Sequence, residues 1–222
     1  MLFPIKQEAG QLKWSNSMKT ILFTQRVEIV ESYGERRDCA DQRIAEFFCA
    51  CGYLPVAVPN QETIACQLLE KATPAGIVFT GGNSLVSYGG DAPERDQTER
   101  QLLEIALEKN IPVYGFCRGM QVILDYFGEG LEKVEGHIAV KHRIEGTFEN
   151  RIVNSFHSLA VKEIKQPMIE VLARSEDGVV EAATVRGKRA LMTMWHPERM
   201  SPFEERDIRM VRSFFEEERI EL

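Results

Sequence analysis

Four short apolar runs separated by helix-length segments constrain this chain more than any other feature of its sequence. KTILFT (19–24), YLPVAVP (53–59), AGIVFTGG (75–82) and IPVYGF (111–116) have strand length and are rich in β-branched or aromatic residues. The stretches between them, roughly 38–51, 61–71 and 96–109, read as helices; in the last, apolar residues at 102, 103, 106 and 107 form one stripe. Parallel strands need a crossover connection, and the crossover helices then cover the sheet. The pattern predicts an α/β fold: an open, doubly wound, mostly parallel sheet with helices on both faces.

From about residue 137 the pattern changes. HIAVKHRIEGTF, RIVNSFHSLAVK, MIEVLARSEDG, VVEAATVRGK and RALMTMW are short strand-like pieces punctuated by Gly, Asn and Asp. They predict antiparallel additions in the C-terminal half. PFEERDIRMVRSFFEEERI then closes the chain as an amphipathic helix, with Ile208, Val211, Phe214 and Phe215 on one side.

With 222 residues and no linker or repeat, residues 18–222 are expected to form one domain. Met18 immediately precedes the first strand, so residues 1–17 read as a poorly ordered extension. The formal net charge of -7 argues against broad nucleic-acid binding or a polybasic membrane contact and points to a small-molecule substrate. No stretch approaches the roughly 20 apolar residues of a membrane span, and no export signal is visible. Five cysteines without a C-x-x-C pair fit a reduced compartment, so the expected location is cytoplasmic. Core packing is the expected role for Cys39, Cys49, Cys51 and Cys66.

Cys117 is different. Gly115-Phe116-Cys117-Arg118-Gly119-Met120-Gln121 follows a predicted strand and opens a predicted helix, the setting in which a tight turn presents a nucleophile at the carboxyl edge of a sheet. A helix N-terminus favours an anion there, and the thiolate is the form of cysteine that attacks. A buried structural cysteine is the plainer reading of the same residue. Downstream, the strand ending at Trp195 runs into His196-Pro197-Glu198, placing an imidazole and a carboxylate on one side of an extended chain. A general base for a thiol needs such a third group to fix its tautomer. A zinc set of His137, His142, His157, His196 and Cys117 lacks recognisable ligand spacing, so neither a metal nor another cofactor is expected.

Thr80-Gly81-Gly82, G-F-C-R-G-M-Q and W-H-P-E, in this order, resemble the class I glutamine amidotransferase superfamily over residues 19 to 215. The resemblance implies a flavodoxin-like fold, a Cys117–His196–Glu198 triad, and backbone oxyanion donors at Gly82 and Arg118. C-R-G-M-Q together with Val153-Asn154-Ser155-Phe156-His157 looks more like the γ-glutamyl hydrolase branch (peptidase C26 type) than the synthetase-coupled glutaminases. By that resemblance, Gly81, Gln121, Ser155, Phe156 and His157 bind the γ-glutamyl substrate, and no obligate synthetase partner is expected. A satisfied loop histidine and a turn serine remain the plainer readings of His157 and Ser155. One departure is visible: relatives often read G-G-x-D where this chain has Gly81-Gly82-Asn83-Ser84.

YGERRDCADQR, YGGDAPERDQTE, VKHRIEG, SEDGVVEA and MWHPERMSPFEERDI further resemble the branch of these hydrolases that acts on γ-glutamyl-CDP-amidate. The diphosphate of such a substrate calls for cations, for which Arg36, Arg37, Arg95, Lys141, His142 and Arg143 are candidates; a charged, solvated surface explains them equally well. The rival functions are a thiol sensor and a glutaminase that depends on a separate synthetase. A sensor, however, needs no base and orienter.

Overall fold

The computed structural model describes residues 18–147 and 151–216. Its first half contains β1 (Thr20–Thr24), β2 (Arg26–Val30), β3 (Glu35–Cys39), α1 (Gln42–Ala50), β4 (Leu54–Val58), α2 (Glu62–Ala72), β5 (Gly76–Phe79), α3 (Pro93–Lys109), β6 (Val113–Phe116) and α4 (Arg118–Tyr126). The second adds β7 (Glu132–Lys133), β8 (Ile138–Gly146), β9 (Arg151–Phe156), β10 (Leu159–Ala160), β11 (Ile169–Ser175), β12 (Val180–Val185), β13 (Ala190–Thr193) and α5 (Glu205–Glu216).

Nine strands form one sheet in the order β4-β1-β5-β6-β13-β12-β11-β8-β9. Neighbours from β4 to β13 are parallel, and those from β13 to β9 are antiparallel. The period-two alternation of a strand divides each parallel strand between two cores. Leu22, Ile77, Val113 and Met192 join α2, α3 and α4 on one face. Ile21, Val78, Tyr114 and Leu191 join α1 and α5 on the other. The doubly wound fold with antiparallel additions is therefore as the sequence predicts.

Two helix starts differ from expectation. The helix expected from residue 38 begins at Gln42, because residues 35–39 pair with 26–30 as an antiparallel hairpin, β2–β3. The charged run ERRDC hides that strand, whereas Asp41 marks the true helix start by accepting from the Arg43 backbone at 3.0 Å. The helix expected from 96 begins at Pro93, since its first buried positions are Arg95, Thr98 and Glu99 rather than apolar residues.

The expected core role of four cysteines holds for Cys51 alone. Cys49 is exposed, and Cys39 and Cys66 are half-buried. In α1 the helical period turns Ile44, Phe47 and Phe48 inward and leaves Cys49 facing out. The expected 1–17 extension lies outside the described residues. No helix among the described residues is long and apolar enough to cross a membrane.

Candidate active site

Cys117 sits between β6 and α4 with φ 53° and ψ -111°. A non-glycine residue in such backbone costs about 1–3 kcal/mol and persists only where its surroundings hold it. Here the Cys117 N–H donates to Thr193 O at 2.9 Å, and its carbonyl accepts from Gln121 N at 3.2 Å. Helix α4 also approaches β5 so closely that a Cβ on Gly119 would lie 2.0 Å from Phe79 O, which explains the glycine two residues after the cysteine.

His196 is brought to the same place by the sheet. Thr193 of β13 pairs with Phe116 of β6, so the chain leaving β13 runs beside the elbow. His196 is 2% exposed, and its Nδ1 lies 2.6 Å from Glu198 Oε1. The expected extended i, i+2 geometry is not what joins them: Pro197–Arg199 is a single 3-10 turn that folds the carboxylate back onto the ring. Asn154 on β9 clamps the histidine backbone, accepting from His196 N and donating to His196 O, both at 2.8 Å. Arg43 on α1 donates to Glu198 O at 2.8 Å and to Met200 O at 2.7 Å, fixing the turn from the other side.

Burial alone would lower the His196 pKa, but the facing Cys117 sulfur and the Glu198 carboxylate outweigh it and raise it to about 10. The imidazolium is thus favoured at neutral pH. Phe116 and Phe156 pack edge-on against the ring, each at 5.6 Å between centroids.

The glycine loop after β5 completes the wall. A Cβ on Gly81 would lie 2.7 Å from His196 Cε1, and Gly82 has φ +93°. Beneath the loop, Arg95 is wholly buried and donates to Thr80 O at 2.8 Å, Gly81 O at 3.1 Å and Glu99 at 2.9 Å. Glu99 also accepts from the Thr24 hydroxyl at 2.6 Å and pairs with Arg118, which pairs in turn with Asp96. Burial works to raise the Glu99 pKa, yet the Arg118 and Arg95 guanidiniums hold it down. This network ties the glycine loop to the first turn of α4.

Two depressions meet at the elbow. Gly82, Cys117, Arg118, Gln121, Phe156 and His157 line one. Gly81, His196, Glu198, Asp41, Arg26 and Arg199 line the other. The structure thus brings together every residue singled out for the reaction and for substrate binding except Ser155. That side chain is fully buried, and its hydroxyl donates to His137 O at 2.6 Å, which is where the chain's need for a small polar residue lies.

The cation set needs correction. Arg95 belongs to the buried network, because its guanidinium has acceptors on three sides there. Arg36 pairs with Glu94 at 2.5 Å, and His142 turns to Glu181 at 3.2 Å. The cations lining the His196 side are Arg26, itself paired with Glu28 at 2.5 Å, and Arg199; sequence reasoning missed both. It also missed Asn154, Arg43 and Asn83; Asn83 bonds the Val27 N–H and C=O at 2.8 and 2.9 Å, anchoring the hairpin over the glycine loop. The departure read from the sequence falls on Ser84, one residue on, and gave no signal for Asn83. Nothing in the local sequence marks Arg43, whose acceptors lie 155 and 157 residues away.

A cysteine on a strand-to-helix turn, beside a paired histidine and glutamate on an open doubly wound sheet, defines a class of α/β thiol hydrolases. The chain belongs to the glutamine amidotransferase class-I family, whose profile matches residues 29–217. It is 31% identical over 183 residues to a γ-glutamyl-CDP-amidate hydrolase of Campylobacter jejuni, covering 79% of this chain and 88% of that protein. A γ-glutamyl-γ-aminobutyrate hydrolase of Escherichia coli is 33% identical over 189 residues, covering 66% of this chain and 73% of that protein. In fold, the chain is similar to a Thermoplasma acidophilum protein described as part of a GMP synthase, with a TM-score of 0.66 at 17% identity over 90% of this chain and 94% of that one. The chain is a hydrolase of this family.

Proposed function

We propose that this chain hydrolyses a γ-glutamyl amide through a γ-glutamyl thioester on Cys117, with γ-glutamyl-CDP-amidate as substrate. The observation that carries the reading is the juxtaposition of the strained Cys117 turn with the His196–Glu198 pair at 2.6 Å. The Cys117 thiolate attacks the γ-carbonyl, and the Gly82 and Arg118 N–H groups stabilise the oxyanion, whose charge develops only as the reaction proceeds. The His196 imidazolium gives its proton to the departing nitrogen, releasing cytidine diphosphoramidate and leaving the thioester. Neutral His196 then takes a proton from water, hydroxide attacks the thioester, and L-glutamate leaves as the thiolate is regenerated. Glu198 orients the ring and balances its charge throughout.

The nucleotide substrate is supported by the Campylobacter jejuni relative and by Arg26 and Arg199 on the His196 side, where a leaving group would sit. The Escherichia coli relative favours a second reading, hydrolysis of γ-glutamyl-γ-aminobutyrate, with the same mechanism. In either case residues 18–222 act as one cytoplasmic domain on a small molecule, without a synthetase partner.

The test is glutamate release by the purified protein from γ-glutamyl-CDP-amidate, γ-glutamyl-γ-aminobutyrate and L-glutamine in parallel, with Cys117→Ala as control. Preference for the nucleotide substrate is expected, with loss of at least about a thousandfold in the variant. Preference for another amide would keep the mechanism and reject the substrate. Release unaffected by Cys117→Ala, or absent from all three, would sink the proposal.

A further inference from the structure

The antiparallel half holds a polar cluster that takes no part in the chemical steps above, although His157 also lines the Cys117 depression. Glu181 on β12 is completely buried. Three imidazole nitrogens converge on its Oε1: His137 Nδ1 at 3.6 Å, His142 Nε2 at 3.2 Å and His157 Nε2 at 3.5 Å. None of these atoms has a hydrogen-bond partner of good geometry among the described residues, nor has the second Glu181 oxygen. His137 and His157 are 4% and 3% exposed. Burying so many polar atoms without partners is costly unless something else fills the space between them.

The tautomer of His137 sharpens the point. Its Nε2 lies 3.2 Å from Asp177 Oδ2. A carboxylate oxygen accepts, so Nε2 is the ring nitrogen placed to donate there. In a neutral ring Nδ1 then presents a lone pair to an anionic oxygen. Only a second proton or a metal cation makes that arrangement attractive.

We propose that His137, His142, His157 and Glu181 form a zinc site that adjoins the Cys117 depression and does not include the cysteine. Zinc takes imidazole and carboxylate ligands in tetrahedral geometry at about 2.0–2.1 Å, which spaces ligand atoms about 3.3–3.4 Å apart. The donor atoms of His137, His157 and Glu181 already lie within 4.8 Å of one another. His142 Nε2 stands 3.2 Å from Glu181 Oε1 but outside that mutual set, and it closes as the fourth ligand when the ion binds. Asp177 supplies the outer carboxylate that orients a ligating histidine. Four protein ligands leave no position for water, so the site is structural. It ties together β8, the residue after β9 and β12, and through Phe156 it braces the ring face of His196. The sequence-based expectation of no metal rested on spacing along the chain; the ligands come from separate strands, where linear spacing carries no information. The proposal stands whether or not the γ-glutamyl reading holds.

The test is metal content and zinc affinity of the purified full chain, stripped with a chelator and then titrated with zinc, with cobalt(II) as spectroscopic substitute. One equivalent per chain is expected, along with intense visible cobalt bands of a tetrahedral site and a higher melting temperature on zinc addition. Cys117→Ala should keep the metal. Glu181→Gln and the half-buried His142→Asn should both lose it, and Asp177→Asn should bind about 10-fold or more weakly. Circular dichroism identifies any variant that fails to fold, and His142→Asn, near the surface, is the one expected to stay folded. A substoichiometric wild type after zinc incubation would mean a cluster held by protons only and would overturn the proposal. So would zinc retained in folded His142→Asn, or lost from Cys117→Ala.

Discussion

Two buried polar clusters flank the elbow, and they are built on opposite plans. On the parallel side, Glu99 has both oxygens taken: Oε1 by Thr24 and Arg95, and Oε2 by Arg118. On the antiparallel side, Glu181 faces three histidines, and neither of its oxygens is hydrogen-bonded among the described residues. Each carboxylate is fully buried, and each is held below its ordinary pKa against the opposing effect of burial. The difference is in the partners. Guanidiniums carry their own charge and fixed forks of donors, so the first cluster pairs its carboxylate within the chain. Imidazoles carry lone pairs or protons as conditions dictate, so the second is open to a ligand.

The sharpest way to break this comparison is to neutralise each carboxylate in turn. Glu99→Gln leaves Arg95 buried without its counter-charge and Arg118 with Asp96 alone, and a loss of about 3–5 kcal/mol is expected in urea unfolding. Zinc-stripped Glu181→Gln should lose less, because neither Glu181 oxygen has a hydrogen-bond partner among the described residues to give up; equal losses in the two variants would show the clusters to be alike.

A smaller effect concerns the boundary between the clusters. His196 has a folded pKa of about 10, above its ordinary 6.5, so the stability this provides is fully present below pH 6.5 and is lost as pH rises towards 10. Glu198→Gln removes one of the two groups that raise it. The stability gap between wild type and variant should therefore be widest near pH 6–6.5 and close towards pH 10, as followed by thermal unfolding. A gap independent of pH would mean that Glu198 acts there through packing alone. The smallest effect is expected at Arg36, whose pair with Glu94 is exposed: Arg36→Ala should leave the melting temperature unchanged.

The parallel half was legible because its apolar runs obey a single period. Each expected strand there contains the observed one, and the glycine, cysteine and W-H-P-E motifs fall at its carboxyl ends. What stayed hidden had polar residues in inward positions. Strand β3 reads as a charged run, and the first two turns of α3 read as a solvated face although Arg95 and Glu99 are fully buried there. Within the site, Cys117, His196 and Glu198 could be picked out because their types and local context point to chemistry. Asn154, Arg43 and the grouping of the three histidines are long-range facts, set by which strands become neighbours, and no local spacing reports them.

Strand β13 carries a consequence for how such an enzyme diversifies. Its register against β6 sets where Cys117 lies relative to His196, and the Cys117 N–H bond to Thr193 O locks the two strands' ends together. The proposed reacting pair is thus insulated from changes in the loops that rim it. The hairpin β2–β3, the segment after Gly82 and the turn after β9 are free to drift toward new leaving groups, while a single inserted residue within β13 would dismantle the chemistry for every substrate at once.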